Sequence, residues 1–341
     1  MTRLITSEPN IRYLSGFTGS IAILILTDKN ALLIVDGRYT QQARSEAKKG
    51  IKVIEAPLSS GLLDTAINLI KGKKPSTIGY EDDKMDAASF NKLKDRFPRA
   101  KFYSISKELR DVRMIKGRDE IDVIRKAALI ADLTYDCVIH IIKPGMTELE
   151  LSAHIDFLMK TFKANAPAFE TLVSSGKSSS YPHGKPADKE LNKGDLVVMD
   201  FGARYKGYNS DITRMVSLGA PLKKHRMIYD AVLSAQEAAI SKVRAGVVAK
   251  DVDKAARDAL KKKKLEKYFR HGTGHGIGLQ VHEGPRVSLS SKDILKEGMV
   301  ITIEPGVYIP GVGGFRVEDM VLVKKGGCEI LTKSSKELAP L

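Results

Sequence analysis

The chain has 341 residues, of which 43% are hydrophobic and 28% are charged, and its formal net charge is +15. A chain of this length buries a large core and commonly forms two domains, and this composition is typical of folded proteins and argues against disorder. The longest early apolar run, Ile21 to Leu26, is too short to span a bilayer, so we expect no membrane partner. Cys137 and Cys328 have no metal-binding spacing, which fits a protein of the reducing cytoplasm.

The positive charge raises the question of a nucleic-acid partner. The basic residues are scattered, and their one dense run, Lys261 to Lys264, closes a predicted helix, where cations interact well with the helix dipole. No zinc knuckle, RNP aromatic pair or recognition-helix pattern accompanies them. We therefore expect a solvated basic surface and no nucleic-acid binding.

Residues 1–112 alternate between strand and helix patterns and predict a small α/β domain. The helix near Leu62 follows Ser59 and Ser60, which we interpret as its caps. The predicted elements are a hairpin over Ile21–Leu26 and Ala31–Val35, a helix after Arg38, a strand near Lys52–Ile54, a helix over Leu62–Ile70, a strand over Thr77–Tyr80 and a helix near Asp86–Arg96.

Residues 113–341 form the second predicted domain. It opens with apolar residues at alternating spacings of three and four from Ile121 to Ile142, the pattern of a long amphipathic helix, which Pro144 stops. Thr147 and Glu150 have the spacing of a capping box that starts the next helix. A second helical pair is predicted over Arg226–Val243 and Lys250–Lys264.

Two stretches of this domain share one frame, 194–214 and 298–319. Gly194 and Gly298 each open an apolar run, and six residues later each run ends on a carboxylate, Asp200 or Glu304. Because helices precede each stretch, the order helices, hairpin, helices, hairpin predicts two αα-ββ halves related by an approximate twofold.

A second carboxylate follows in each stretch, Asp211 after eleven residues and Glu318 after fourteen. These distances suit a strand that returns beside its partner as a hairpin. Two such hairpins face to face would gather four carboxylates at one buried point. For any single acid, a salt-bridged strand end is an equally good interpretation.

Four buried carboxylates either take up protons or bind cations, because ionised groups without partners are costly to bury. The glycine-rich loop 271–286 lies between the hairpins and offers His275 as a nitrogen ligand. Such an oxygen-rich set predicts two divalent ions. It favours manganese or cobalt over a thiolate-type zinc site, and it leaves zinc and iron open.

Four blocks of this domain resemble the methionine aminopeptidase, prolidase and creatinase family, the pita-bread metallopeptidases. The blocks are MDFGARYKGYNSDITR, HGTGHGIGLQVHE, TIEPGVY and GFRVED. NIRYLSGFTGS and IVDGRYTQQA near the start resemble the small N-terminal domain of the prolidase and aminopeptidase P branch, which methionine aminopeptidases lack. The resemblance implies an α+β protein, with a creatinase-type α/β domain followed by a pita-bread domain whose site lies where its two halves meet.

The resemblance also implies roles for the acids and histidines. Asp200 would bind one ion, His275 and Glu304 the other, and Asp211 and Glu318 would bridge both. Three further side-chain roles follow from it: Glu304 is expected to move the proton to the leaving nitrogen, His282 to stabilise the developing oxyanion, and His183 to lie near the scissile nitrogen.

Four more residues are candidates for contacts with substrate or ligands. Arg286 and Arg316 are each able to bind a peptide carboxylate, although Arg316 is equally well explained as a group that orients Glu318 or its neighbours. Tyr208 is expected near the turn of the first hairpin, lining the site. Thr213 is expected to orient the carboxylate of Asp211.

The resemblance to the proline-specific branch implies an exopeptidase that cleaves the Xaa-Pro bond. We expect a Xaa-Pro dipeptidase (prolidase) acting on proline-containing dipeptides, with aminopeptidase P activity on longer peptides as the alternative. A metal-free pita-bread domain that serves only as a binding module is a more remote hypothesis, because such relatives have lost metal ligands. The family further implies a homodimer.

Overall fold

A computed structural model describes residues 1–72, 75–338 and 340–341. Two compact units divide the chain, Met1–Arg113 and Met114–Leu341, so the division lies one residue beyond the predicted end of the first domain at 112. No helix in these described ranges combines the length and the apolar character that a membrane crossing requires.

The first unit is a six-stranded mixed sheet with helices between its strands. Its elements are β1 Thr2–Ile5, α1 Glu8–Ser15, β2 Ile23–Thr27, β3 Ala31–Val35, α2 Thr40–Glu46, β4 Ile51–Glu55, α3 Leu62–Lys71, β5 Thr77–Tyr80, α4 Ala87–Arg96, β6 Lys101–Ser104 and α5 Ser106–Met114. The order of the strands across the sheet is β4-β3-β2-β1-β5-β6.

Side-chain alternation along the strands places the core of this unit on both faces of the sheet. Leu4 packs in one buried cluster and its neighbour Ile5 in another, so that apolar residues cover each face. The predicted hairpin is confirmed, with β2 and β3 paired antiparallel. The predicted cap of α3 is wrong: Gly61 occupies the N-cap position, and no side chain among the described residues caps it. Ser60 Oγ instead lies 3.1 Å from the hydroxyl of Thr65 within the helix.

The second unit carries the repeated frame. Its elements are α6 Arg118–Val138, α7 Glu148–Thr161, β7 Ala166–Pro167, β8 Leu172–Ser175, β9 Leu196–Phe201, β10 Ala203–Tyr205, β11 Tyr208–Asn209, β12 Ile212–Ser217, α8 Lys223–Ile240, α9 Ala249–Lys262, β13 Gly274–Gly276, β14 Glu283–Val287, β15 Val300–Ile303, β16 Gly306–Ile309, β17 Gly313–Arg316, β18 Asp319–Val323 and β19 Cys328–Ile330.

The helices of this unit differ from the sequence prediction mainly at their ends. α6 ends at Val138, and Ile142 is buried beyond the helix, in the turn that leads to Pro144. The capping box of α7 is confirmed: Thr147 Oγ1 accepts from the Glu150 amide at 3.1 Å, and a Glu150 carboxylate oxygen accepts from the Thr147 amide at 2.7 Å. These bonds satisfy amides that have no partner within the helix.

Both predicted hairpins form. β9 pairs antiparallel with β12, and β15 pairs antiparallel with β18. Gly194 and Gly298, which open the two apolar runs, have φ values of +94° and +87°, a backbone region that L side chains rarely adopt. The equivalent glycines therefore make equivalent turns into the two hairpins, as the repeated frame predicts.

The two hairpins meet edge to edge. The Glu318 amide donates to the Thr213 carbonyl at 3.3 Å, which forms an isolated β-bridge between the halves. The acids that end or precede these strands are consequently brought to one place between the two hairpins. The expected architecture, a small α/β domain followed by a domain built on a repeated hairpin, is confirmed.

Candidate active site

One cavity of about 180 Å³ gathers all five of the predicted ligand side chains. Asp200 lies near the end of β9, Asp211 directly precedes β12, and Glu318 directly precedes β18. The complete lining consists of Phe169, Leu172, Pro182, His183, Asp200, Asp211, His271, His275, Val281, His282, Glu304, Tyr308, Arg316 and Glu318.

His275 stands among the acids. Its Nε2 atom lies 3.6 Å from Asp211 Oδ2 and 3.4 Å from Glu304 Oε1. Ligand atoms of Asp211, His275 and Glu318 all lie within 4.8 Å of one another. Nitrogen and carboxylate oxygens this close together form a donor set suited to a divalent ion.

Two of the carboxylates have one oxygen held by the protein and one left open. Asp200 Oδ2 accepts from Arg316 at 2.5 Å, and Glu318 Oε2 accepts from Thr213 Oγ1 at 2.8 Å. Asp200 Oδ1 and Glu318 Oε1 are buried without a hydrogen-bond partner in the described part of the chain. Buried polar atoms are seldom left unsatisfied, and an oriented carboxylate with one open oxygen is the arrangement expected of a metal ligand.

The electrostatics of the metal-free acids agree with that assignment. Burial raises the pKa of Asp200, Asp211 and Glu318, and it raises the pKa of Glu304 to about 8. Neighbouring carboxylates raise the pKa of Asp211 further. Without a metal ion these acids resist ionisation, because their negative charges would repel one another in a buried site. Bound cations would relieve that repulsion.

The hydrogen bonds of His275 define its protonation. Nδ1 lies 3.1 Å from the Gly276 carbonyl, an acceptor, so Nδ1 carries the proton and Nε2 presents its lone pair to the acids. Burial and the nearby His282 lower the pKa of His275 to about 4, which keeps the ring neutral near pH 7. A neutral imidazole with Nε2 free is the form that binds metals.

Arg316 is the centre of the hydrogen-bond network behind the acids. It donates to Asp200, to Thr213 Oγ1 at 3.0 Å, to Tyr308 Oη at 2.7 Å and to the Pro182 carbonyl at 3.2 Å. The side chain is 5% exposed. With these donors occupied, the contacts of Arg316 match a group that orients its neighbours better than one that binds a peptide carboxylate. Thr213, which was expected to orient Asp211, donates to Glu318 instead.

A chain of hydrogen bonds continues from Arg316 to the glycine-rich loop. His271 Nδ1 lies 2.8 Å from the Gly272 carbonyl and therefore carries the proton, so Nε2 accepts from Tyr308 Oη at 3.0 Å. Burial and, to a smaller extent, the nearby Arg316 lower the pKa of His271 to about 4. Tyr308 thus accepts from Arg316 and donates to His271, which fixes its hydroxyl at the cavity wall.

His282 and His183, the two histidines expected to contact the substrate, also reach the cavity. The rings of His282 and His275 meet edge to face with centroids 4.3 Å apart. His183 lines the cavity from the loop between β8 and β9, and its side chain is exposed. Both histidines therefore stand where a substrate is able to contact them.

Two predicted substrate residues lie elsewhere. Tyr208 Oη donates to Glu120 at 2.7 Å, and its ring packs against the apolar cluster beneath α6. Arg286 pairs in register with His275 on β14, but its side chain is exposed and is not part of the cavity lining. Tyr208 therefore faces α6 and not the site.

Sequence reasoning missed Tyr308, Phe169 and Leu172. Tyr308 comes four residues after Glu304 in the second hairpin, and that proximity was the available signal. Phe169 and Leu172 come 25 and 22 residues before Gly194, where the repeated frame begins, and carry no chemistry of their own, so no pattern singles them out.

Family models account for most of the chain. Residues 122–325 match Metallopeptidase family M24, and residues 2–115 match the creatinase/prolidase N-terminal domain. The chain therefore belongs to this metallopeptidase family. The Xaa-Pro dipeptidase of Pyrococcus horikoshii is 39% identical over 336 residues, which cover 98% of this chain and 93% of that protein.

Solved structures show the same similarity. The Xaa-Pro dipeptidase from Bacillus anthracis superposes with a TM-score of 0.95 at 37% identity and covers 100% of this chain and 95% of its own. The X-Pro aminopeptidase from Thermotoga maritima superposes with a TM-score of 0.92 at 36% identity, with coverages of 100% and 97%. Relatives of two different names are thus about equally similar to this chain.

Proposed function

We propose that this protein is a metal-dependent exopeptidase that hydrolyses the Xaa-Pro peptide bond, with dipeptides as its main substrates. The observation that carries the proposal is the buried cavity of four carboxylates and His275, two of whose oxygens lack any partner within the described residues. Its support from relatives is the 39% identity to a Xaa-Pro dipeptidase over nearly the whole chain.

Two divalent ions fit the open donors. Asp200 would hold one ion, His275 and Glu304 the other, and Asp211 and Glu318 both. Manganese or cobalt suits the oxygen-rich set best, and zinc or iron is also compatible with it. When bound, the ions supply Lewis-acid chemistry and activate water near neutral pH.

Other side chains of the site would contact the substrate, transfer the proton and orient the carboxylates. His282 would donate a hydrogen bond to the carbonyl oxygen of the scissile bond as negative charge develops there. Glu304 would carry the proton toward the leaving nitrogen, and His183 would contact that nitrogen from the loop above. Arg316 would hold Asp200 and Thr213 in place throughout.

The restriction to dipeptides rests on the size and lining of the cavity. Its volume of about 180 Å³ is small, below the roughly 300–1,000 Å³ typical of ligand pockets. Phe169, Leu172 and Val281 offer apolar contacts for the substrate. Four of the five N–H donors of Arg316 are occupied. Arg286 lies outside the cavity lining, but it is exposed and pairs in register with His275, so it is the remaining candidate for binding the peptide carboxylate.

The test compares proline release from a Xaa-Pro dipeptide with cleavage of a Xaa-Pro-Xaa tripeptide. Protein stripped with a chelator and reloaded with manganese or cobalt should cleave the dipeptide faster, and Arg286→Gln should raise KM for the dipeptide more than for the tripeptide. Faster cleavage of the tripeptide would identify an aminopeptidase P, the activity named for the Thermotoga maritima relative.

Metal analysis separates the enzyme from an inactive binding module. The proposal requires about two ions per chain in the active protein, whereas a binding module would purify without stoichiometric metal and cleave neither peptide. A homodimer, a cytoplasmic location and the absence of a nucleic-acid partner stay predictions from the sequence and the family.

A further inference from the structure

The loop that carries His183 has little structure of its own. After a short 3-10 turn over Gly176–Ser180, residues 181–189, all of them described, form neither helix nor strand. The side chain of His183 is itself exposed. The position of this histidine at the cavity therefore depends on individual contacts that hold the loop.

Glu148, the first residue of α7, holds both ends of that loop with one carboxylate. Its Oε1 atom accepts from the Ser175 amide at 2.8 Å and from Ser175 Oγ at 2.7 Å. Its Oε2 atom accepts from the Ala187 amide at 3.2 Å. Glu148 is 1% exposed, and these bonds join residues eight before and four after His183.

The backbone of α7 and a lysine complete this contact. The Glu148 amide donates to the Lys189 carbonyl at 3.0 Å. Lys189 Nζ donates to the Ser175 carbonyl at 2.6 Å and to Glu148 Oε1 at 3.4 Å, which compensates the buried charge. Glu148, Ser175, Ala187 and Lys189 together form what we call the loop clasp.

We propose that Glu148 is a positioning residue that acts through His183 by closing the ends of its loop. The inference rests on the proposed function, in which His183 contacts the substrate. A misplacement of about 1 Å in a group that meets the substrate is able to lower turnover a hundredfold. The clasp thus couples a buried carboxylate at the start of α7 to the alignment of an exposed catalytic side chain.

The middle of the loop has separate anchors. Ser179 Oγ accepts from the Gly314 amide at 2.8 Å, and the Pro182 carbonyl accepts from Arg316. These bonds fasten the loop to the second hairpin independently of Glu148. Opening the clasp should therefore loosen the ends of the loop and leave the fold of the unit in place.

The test compares Glu148→Gln with Glu150→Gln. Glutamine keeps the volume at position 148 but replaces one acceptor oxygen with an NH2 group that faces donors. Glu150 lies in the same first turn, and its carboxylate accepts from the Thr147 amide, so its loss weakens the same helix start without touching the clasp. Both variants are assayed on a Xaa-Pro dipeptide with metal content measured in parallel.

We expect kcat/KM to fall about tenfold to a hundredfold in E148Q and less than about twofold in E150Q. Metal content should be unchanged in both variants. In a His183→Ala background, E148Q should add less than about a twofold loss, because its effect passes through His183. An equal loss in both backgrounds, or equal losses in E148Q and E150Q, would overturn the proposal.

Amide hydrogen exchange tests the loop independently of activity. Residues 176–189 should exchange faster in E148Q than in E150Q or the unaltered protein. If the unaltered protein cleaves no Xaa-Pro bond, the proposed function fails, and unchanged exchange would overturn the clasp separately. Should E148Q not fold, Ser175→Ala removes one donor to the same carboxylate and should give smaller changes of the same kind.

Discussion

At the scale of single residues, the site buries carboxylates whose hydrogen bonding is incomplete. Asp211 is 4% exposed and Glu318 is 1% exposed, yet one oxygen of Glu318 and one of Asp200 have no hydrogen-bond partner among the described residues. Such an arrangement is unfavourable without cations and favourable with them. Substitutions here should therefore change metal binding and metal-free stability in opposite directions.

Asp211→Asn tests that opposition. The change keeps the volume and removes the charge, so the variant should lose stoichiometric metal and lower kcat/KM by more than the roughly 10–100-fold typical of groups that merely orient ligands. Because burial and Glu318 raise the pKa of Asp211, the metal-free variant should unfold at a higher temperature than the metal-free parent near neutral pH. Elemental analysis and thermal unfolding measure the two effects.

Asp258→Asn is the control for that experiment. Asp258 is exposed on α9 and pairs with Lys254 four residues away, so its loss should change neither metal content nor unfolding temperature appreciably. Retention of both ions by D211N would contradict the assignment of Asp211 as a shared ligand.

Arg316→Met separates an orienting role from substrate binding. The change leaves Asp200, Thr213 and Tyr308 without their donor in a buried setting, and we expect metal affinity to fall about 10–100-fold. Arg316→Lys keeps the charge but not the planar set of N–H donors, so its metal affinity should lie between that of Arg316→Met and that of the unaltered protein. Competition with a chelating dye measures the affinity, and an effect confined to KM for peptides would favour the carboxylate-binding interpretation.

The four carboxylates proposed as ligands could be predicted from the sequence because the repeated frame placed them at matching positions. The pairing of Arg316 with Asp200 could not be predicted from the sequence, because Asp200 lies 116 residues away along the chain. Which side chain meets which depends on how the two hairpins pack, and Thr213 accordingly contacts Glu318 instead of its near neighbour Asp211. Periodicity predicts faces of elements and says little about such contacts.

At the scale of elements, close backbone packing sets the position of the histidine loop. A Cβ atom at Gly276 would lie 1.9 Å from the Gly284 carbonyl oxygen, and β13 shifts its register between His275 and Gly276. β13 and β14 are short and glycine-rich and have no alternating apolar pattern, so the sequence did not predict them as strands. The longer hairpins, with strong apolar runs, were predicted correctly.

Gly276→Ala should therefore disturb the site through the backbone. Relief of the contact requires β14 to move, and we expect about 1–3 kcal/mol of destabilisation together with weaker metal binding, because His275 and His282 flank the strand connection. Denaturant unfolding and dye competition report the two effects. At Gly326 no atom of the described residues lies within 4 Å of an added Cβ, so Gly326→Ala should be neutral in both measurements. Equal behaviour of the two variants would contradict the argument.

At the scale of the whole molecule, the repeat explains why one site forms from two distant halves of a unit. Each hairpin carries a pair of carboxylates, and the β-bridge between Thr213 and Glu318 brings the pairs together. The sequence predicted this meeting from the shared frame. It did not predict the hydrogen-bonded chain from Arg316 through Tyr308 to His271, because that chain crosses three segments with no common pattern.

The metal-free protein should lose stability as pH rises from about 6.5 to 8. Burial raises the pKa of Glu304 to about 8, and it raises the pKa of Asp200, Asp211 and Glu318 as well. The folded state therefore holds protons that the unfolded chain, with carboxyl pKa values near 4, has released. Each such proton lowers the free energy of unfolding by about 1.4 kcal/mol per pH unit.

The histidines act in the opposite sense but over a lower range. The pKa of His271 and of His275 is lowered to about 4 from 6.5, and burial lowers the pKa of His225 and His282 as well. The stabilising effect of these histidines therefore grows as pH rises and is nearly complete by about pH 7.5, one unit above the pKa of the unfolded chain. In the upper part of the window from pH 6.5 to 8 the carboxylates dominate the slope. Bound cations remove the repulsion, so the gap in unfolding temperature between metal-loaded and metal-free protein should widen across this window. D211N should make the fall in the metal-free unfolding temperature less steep, because it removes one of the protons responsible. If the metal-free unfolding temperature of the parent protein stays constant or rises from pH 6.5 to 8, the four acids are not clustered as described.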